Sequence, residues 1–164
     1  MILRSAQPSD ISAITGIYNE VIATTNAIYR DDIVTESERL AWYESKVNDG
    51  YPVIVAELNG EVIGYGLYGG FRFGEGYKHT VEHSIHVMSS HRRTGVGRTI
   101  LKELVAIATK DGRHVMVGAI DSGNEASIKL HEEFGFRESA RMEEVALKGG
   151  KLLTLVLVQK VLDL

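Results

Sequence analysis

The 164-residue chain contains no cysteine. Disulfides, thiolate metal sites and a cysteine nucleophile are excluded together, and nothing marks an oxidising compartment. No apolar run approaches the roughly 20 residues of a membrane-spanning helix. The opening Met1-Ile2-Leu3-Arg4-Ser5 runs straight into patterned sequence, so the expectation is a soluble, cytoplasmic protein with no membrane partner. A global basic field is also missing: 18 lysines and arginines stand against 22 acidic residues, a formal charge of -4. That balance excludes a chain steered broadly onto nucleic acid. No repeat, linker or low-complexity tract breaks the sequence. With 44% hydrophobic residues the chain suffices for one continuous core, and residues 1–164 read as a single domain.

What is present is regular patterning. A short strand is expected over Ile2 to Arg4, then a helix capped by Ser9 or Asp10, with Ile14, Ile17, Tyr18 and Val21 at helical spacing. Thr35-Glu36-Ser37-Glu38 is a capping-box pattern, so a second helix starts there and continues through Leu40, Tyr43 and Val47 to Gly50-Tyr51-Pro52. Val53 to Glu57 and Val62 to Tyr65 flank Asn59-Gly60, which tolerates the positive backbone angles of a tight primed turn, and therefore read as a hairpin. Thr80 to Val87 is the next strand. Alternation puts Val81, His83, Ile85 and Val87 on one face and Thr80, Glu82, Ser84 and His86 on the other. A helix buries Ile100, Leu101, Leu104, Val105 and Ala108, and the strand Val115 to Ile120 follows. Asn124 begins a shorter helix that Gly135 ends, and Phe136 to Arg141 and Leu152 to Val161 supply two strands around Lys148-Gly149-Gly150. This order specifies an α/β or α+β fold with helices on both faces of a sheet.

The positive charge that exists is local. In His91-Arg92-Arg93-Thr94-Gly95-Val96-Gly97-Arg98 three arginines surround two glycines between a strand and a helix. Such a loop offers unpaired backbone N–H groups, and glycine lets that backbone approach a phosphate closely. Arg92, Arg93 and Arg98 can add charge around the same anion. A Walker A loop is excluded because no Gly-Lys-Ser/Thr follows, and Ile100 stands where the dinucleotide fingerprint needs its third glycine.

Arg92-Arg93-Thr94-Gly95-Val96-Gly97 resembles the Arg/Gln-x-x-Gly-x-Gly/Ala signature with which GNAT acetyltransferases hold the pyrophosphate of acetyl-CoA. Thr80-Val81-Glu82-His83-Ser84, His114 to Val117 and the stretch from Asn124 through Leu130-His131-Glu132-Glu133-Phe134-Gly135-Phe136 stand in the order of one branch of that superfamily. The branch is that of the phosphinothricin and methionine sulfoximine acetyltransferases. Tyr18-Asn19, Ala41-Trp42 and Gly50-Tyr51-Pro52-Val53 are similar to it as well, so the likeness runs along nearly the whole chain.

The resemblance implies a GNAT-type mixed, mostly antiparallel sheet and an N-acetyltransferase that moves an acetyl group from acetyl-CoA to the amine of a small amino-acid-like substrate. Methionine sulfoximine, methionine sulfone and phosphinothricin are the candidate acceptors. It implies Glu82 as general base, a role that asks for a carboxyl raised above its ordinary ~4.3. His131 lies where many relatives carry a tyrosine that protonates the departing thiolate, making it the candidate general acid. Backbone groups of Ile85, His86 and Val87, the loop Arg92, Arg93, Thr94, Gly95, Val96, Gly97 and Arg98, and Asn124 and Ser127 on one helical stripe are the implied acetyl-CoA contacts. Tyr29, Arg72, Phe73, Gly74, Glu82, His83 and Ser84 are the implied substrate contacts, with the planar fork of Arg72 suited to a carboxylate. A homodimer is also expected, since relatives are commonly dimers and Leu152 to Leu157 is an apolar strand.

No metal is expected, because alternation sends His83 and His86 to opposite faces and leaves His79 without two convergent partners. The chain departs from the family at Arg93 and Thr94, at His86 in place of tyrosine, at Phe71 in place of tryptophan, and at Leu152 and Thr154 in place of tryptophan and aspartate. Two other readings remain: the same fold acting on a polyamine, an aminoglycoside or a protein N-terminus, and a non-catalytic acyl-CoA-binding domain.

Overall fold

Val53-Ile54-Val55-Ala56 is apolar without alternation, and its surroundings explain why. Val53 and Val55 enter one hydrophobic core, Ile54 and Ala56 another, because the strand is covered on both faces. The computed structural model describes residues 1–163. Its strands are β1 (Ile2–Ser5), β2 (Val53–Leu58), β3 (Glu61–Gly70), β4 (Thr80–Val87), β5 (Val115–Asp121), β6 (Arg137–Lys148) and β7 (Lys151–Val161). They form a single sheet in the order β1-β2-β3-β4-β5-β7-β6. All neighbours are antiparallel except β4 and β5, the pair joined by a helical crossover.

Helices α1 (Ile11–Thr24) and α2 (Glu36–Asn48) cover one face, while α3 (Val96–Lys110) and α4 (Glu125–Glu133) belong to the other. On the first face Ile14, Ile17 and Val21 pack with Val55, Tyr65 and Leu67. On the second, Ile100, Leu101 and Leu104 pack with Val81, Met116 and Val156. Close approach of α3 to β3 depends on Gly66, where an added Cβ would lie 2.4 Å from Ile100 Cγ2. Each fully buried aliphatic side chain among them contributes roughly 1.5–3 kcal/mol through apolar burial.

Local signals in the sequence are realised, with four differences. Thr35 Oγ1 accepts the Glu38 N–H at 3.1 Å and Glu38 Oε2 accepts the Thr35 N–H at 2.7 Å, closing the capping box. Asn59 and Gly60 adopt φ of 53° and 83° in the expected hairpin turn. Asp10 does precede α1, but its carboxylate does not cap it: it accepts from the Nη1 and Nη2 groups of Arg4 and from the Gln7 N–H. Chain from Pro8 to Asp10 forms a turn of 3-10 helix instead. β6 continues past Arg141 to Lys148, bending through register shifts at which Glu144 takes φ 55°.

The fourth difference concerns α2. Leu40 and Val47 are exposed, and the stripe facing the sheet is Arg39, Trp42, Tyr43 and Lys46. The helix packs Tyr43 into the apolar core and otherwise lies over a polar cleft, so its remaining inward residues are amphipathic or cationic. Among the described residues no helix is long and apolar enough to cross a membrane.

Candidate active site

The site begins with the pleat of β4. Glu82, Ser84 and His86 project toward α1 and α2, where they line a cleft of about 380 Å³ with Tyr18, Arg39, Trp42, Lys46 and Tyr65. Burial holds the Glu82 carboxyl above the usual carboxylate range, and the neighbouring Lys46 ammonium partly opposes that rise. A glutamate in this state is a stronger base than an exposed one. His86 is pushed down to about 4, first by burial and then by the positive charges of Arg39 and Arg92, so it is neutral at physiological pH.

His83 goes to the opposite side of the sheet, as alternation requires. There it meets His131 from α4, with parallel rings whose centroids are 4.9 Å apart and Nε2 atoms 3.0 Å apart. Burial lowers both imidazoles, favouring their neutral forms. The Ser127 carbonyl, 2.7 Å from His131 Nδ1, can only accept, so the single proton of neutral His131 lies on Nδ1. His131 Nε2 is then the acceptor and His83 Nε2–H the donor, leaving His83 Nδ1 buried without a partner. In this arrangement the one proton of His131 is held in the hydrogen bond to the Ser127 carbonyl, and its Nε2 faces His83.

A second opening lies where β4 and β5 separate. They pair from Thr80–Val115 to His83–Gly118 and no further, although β4 continues to Val87 on β3 and β5 to Asp121 on β7. The divergence leaves one backbone edge of the segment containing Ile85, His86 and Val87 without a strand partner. Just beyond it, Gly95 takes φ 91° as the N-cap of α3, a conformation that favours glycine. Thr99 N–H is bonded back to the Gly95 carbonyl, so the N–H groups of Val96, Gly97 and Arg98 precede the helical ladder. Packing does not demand glycine at 97, since an added Cβ would meet only Val87 Cγ2 at an ordinary 3.8 Å.

A family model for the acetyltransferase (GNAT) family matches residues 15–136, which include the cleft, the strand divergence and the glycine loop. The chain belongs to the GNAT acetyltransferase family. A Salmonella typhimurium protein named L-methionine sulfoximine/L-methionine sulfone acetyltransferase is 45% identical, with 99% of this chain and 95% of that one covered. Among solved structures, a ribosomal-protein-alanine N-acetyltransferase from Brucella melitensis matches at TM-score 0.97 and 41% identity, covering 99% of this chain and 100% of that one. A phosphinothricin acetyltransferase from Sinorhizobium meliloti, in complex with acetyl-CoA, matches at TM-score 0.95 and 32% identity, covering 99% and 88%.

Within this GNAT fold the anticipated residues separate into groups. Glu82 and Ser84 share the cleft. His83 does not, because its pleat position sends it to His131. Arg92 turns inward, its Nε donating to the Val87 carbonyl at 3.1 Å, and Arg93 takes φ 62° on the exposed loop. Thr94 Oγ1 donates to the His91 carbonyl, and Arg98 pairs with Glu133 of α4. Asn124 caps α4 by accepting the Ser127 N–H at 3.2 Å. Arg72, Phe73 and Gly74 lie outside the cleft lining, on an exposed loop that Gly74, at φ 112°, turns toward solvent; Phe73 is fully exposed.

Tyr29 is also elsewhere, donating to Asp121 Oδ1 at 2.6 Å and so latching the α1–α2 connection to the end of β5. Residues not anticipated from the sequence are Tyr18 as a cleft wall and Arg39, Trp42 and Lys46 on α2. For the three residues of α2 the signal was present as an i, i+3, i+7 stripe, about a quarter-turn around the helix from Leu40 and Val47. Among the described residues no three His, Cys, Asp or Glu side chains converge as metal ligands.

Proposed function

We propose that the protein transfers the acetyl group of acetyl-CoA to the α-amine of a small amino-acid analogue of the methionine sulfone, methionine sulfoximine or phosphinothricin type, with Glu82 as general base. The observation carrying this reading is the half-buried, proton-avid Glu82 in a cleft that also holds two cations. The glycine loop supplies N–H donors for the cofactor's diphosphate. Gly97 supports that role because nothing in the chain itself crowds the position. The thioester then enters where β4 and β5 part, beside the free edge of Ile85 to Val87.

Glu82 takes a proton from the acceptor's ammonium. The freed nitrogen attacks the thioester carbonyl carbon and the C–S bond breaks; the surplus proton on the nitrogen passes to the departing thiolate, giving the amide and CoA–SH, and the proton held by Glu82 returns to solvent. A cleft with Arg39 and Lys46 beside one carboxylate repels polyamines and aminoglycosides, which are polycations. It admits an acceptor that carries its own negative charge. The exposed Met142, Val145, Leu147 and Leu152 on β6 and β7 support self-association into a homodimer.

The test is CoA release from acetyl-CoA with a panel of methionine sulfone, methionine sulfoximine, phosphinothricin, spermidine and an alanine-initiated peptide. The amino-acid analogues should react, and Glu82→Gln should lower kcat by roughly 10²–10⁴-fold while CoA binding by calorimetry persists. Turnover of the peptide alone would transfer the assignment to a protein N-terminus as acceptor; the Brucella relative is named a ribosomal-protein-alanine N-acetyltransferase. Binding of CoA with turnover of no amine would make the chain a non-catalytic acyl-CoA-binding domain.

A further inference from the structure

The wall of the cleft opposite Glu82 is the inward stripe of α2, and its central residue is unusual. Arg39 is only 7% exposed, yet it lines an open cleft. Its guanidinium carbon lies 4.0 Å from the Tyr18 ring centroid and 3.7 Å from that of Trp42, so two aromatic faces clamp the planar group. Among the described residues no carboxylate forms an ion pair with it, and its buried Nε has no hydrogen-bond partner. The buried hydroxyl of Tyr65 lies beside this guanidinium in the same cleft without a well-formed hydrogen bond.

A buried cation is normally matched by an anion, since cation–π contacts offset only part of the desolvation. The aromatic clamp also fixes the guanidinium before a ligand arrives, which lowers the entropy lost on binding. Two turns further along α2, Lys46 reaches the same cleft over Gly69, where an added Cβ would lie 2.8 Å from Nζ. The cleft therefore presents two cations spaced along one helix and one carboxylate on the strand beneath. Arg72, which the family resemblance implies as a substrate contact, is exposed and outside this lining.

We infer that Arg39, assisted by Lys46, is the anchor that reads the carboxylate of the acceptor and so makes the enzyme select amino acids over simple amines. This rests on the proposed function and names the side chains that set its specificity. Holding the carboxylate on α2 aims the α-amine across the cleft toward Glu82. Arg39 binds and orients; it takes no part in proton transfer.

The experiment compares L-methionine sulfone with its decarboxylated amine as acceptors, in the unaltered protein and in Arg39→Lys, Arg39→Met, Lys46→Met and Arg72→Met. The unaltered enzyme should favour the amino acid through a lower KM. Arg39→Met should raise the KM for the amino acid by roughly 10- to 100-fold, the loss expected for charge-assisted hydrogen bonds. The preference for the amino acid over the amine should collapse toward unity. Arg39→Lys should lie between, having charge without the planar fork, and Lys46→Met should give a smaller rise of the same kind.

Calorimetric CoA binding identifies variants that remain folded. If Arg39→Met fails to fold, Arg39→Lys, Lys46→Met and the preference of the unaltered enzyme still decide. Equal use of amino acid and amine by the unaltered enzyme would overturn the inference without any variant. So would a selective KM rise in Arg72→Met with none in Arg39→Lys or Lys46→Met. Failure of the unaltered protein to acetylate any amino-acid analogue would instead sink the proposed function itself, a distinguishable result.

Discussion

Lys148 offers the sharpest stability test. It ends β6, is 8% exposed, and its ammonium donates to the carbonyls of Ile22, Thr25 and Ile28 at 2.9, 2.6 and 2.7 Å. These carbonyls lie at and just beyond the C-terminal end of α1, where the helix dipole also favours a cation. Replacement by methionine retains the aliphatic stem and removes all three donors. Each hydrogen bond to a charged group is worth about 1.5–3 kcal/mol, but the mutation also removes the cost of burying the ammonium.

Water can reach the carbonyls of the half-buried Thr25 and Ile28, whereas Ile22 is buried and loses its partner outright. The net expectation is a loss of about 3 kcal/mol, or roughly 6–12 °C in melting temperature for a domain of this size. Urea unfolding followed by circular dichroism measures it, with an unchanged m-value showing that only stability moved. Amide exchange should accelerate first between Thr25 and Asp32, because the same residues hold the connection that carries Tyr29. A loss under about 1 kcal/mol would refute the reasoning, showing that ammonium desolvation cancels its three bonds.

Three further outcomes follow from particular groups. His83, His86 and His131 are all depressed, so each contributes stability that is complete above the ordinary imidazole value of 6.5 and is lost as pH falls. For His86 that window runs from 6.5 to about 4, amounting to about 3 kcal/mol at its lower end; identical urea midpoints at pH 7.5 and 5 would contradict it. Lys46→Met removes the positive charge that lowers the Glu82 carboxyl, so the acidic limb of the kcat/KM–pH profile should move to higher pH. No shift, or an acidic one, would show that the two groups do not interact. Gly66→Ala places a methyl group 2.4 Å from Ile100 Cγ2 and should cost about 1–3 kcal/mol in urea denaturation, since α3 must retreat.

The relation between sequence and fold is clearest in β4. Alternation alone assigned Glu82, Ser84 and His86 to one face and His83 to the other, and the sheet preserves that division because neighbouring strands hold the pleat. The capping box at Thr35, the Asn59-Gly60 turn and the glycine loop before α3 were legible for the same reason: each is a backbone requirement met within a few residues. α2 was legible as a helix but not in its orientation. Of the apolar positions through which it runs, Leu40, Tyr43 and Val47, only Tyr43 is buried, and the helix turns Arg39, Trp42 and Lys46 inward over a cleft that exists only once β3 and β4 are paired beneath it.

Sequence by itself determined the main elements, their order, the two-sided core and the location of the glycine loop before α3, since these depend on periodicity, capping and positive-φ positions along a short stretch of chain. Tertiary structure alone decided which charges meet. It stacked His131 on His83 across 48 residues, carried Lys148 to the end of α1 across more than 100, and set Arg39 opposite Glu82. Burial and long-range electrostatics depend on what the rest of the chain brings near a group. For that reason the proton affinity of Glu82 and the cationic wall facing it emerged only with the folded sheet.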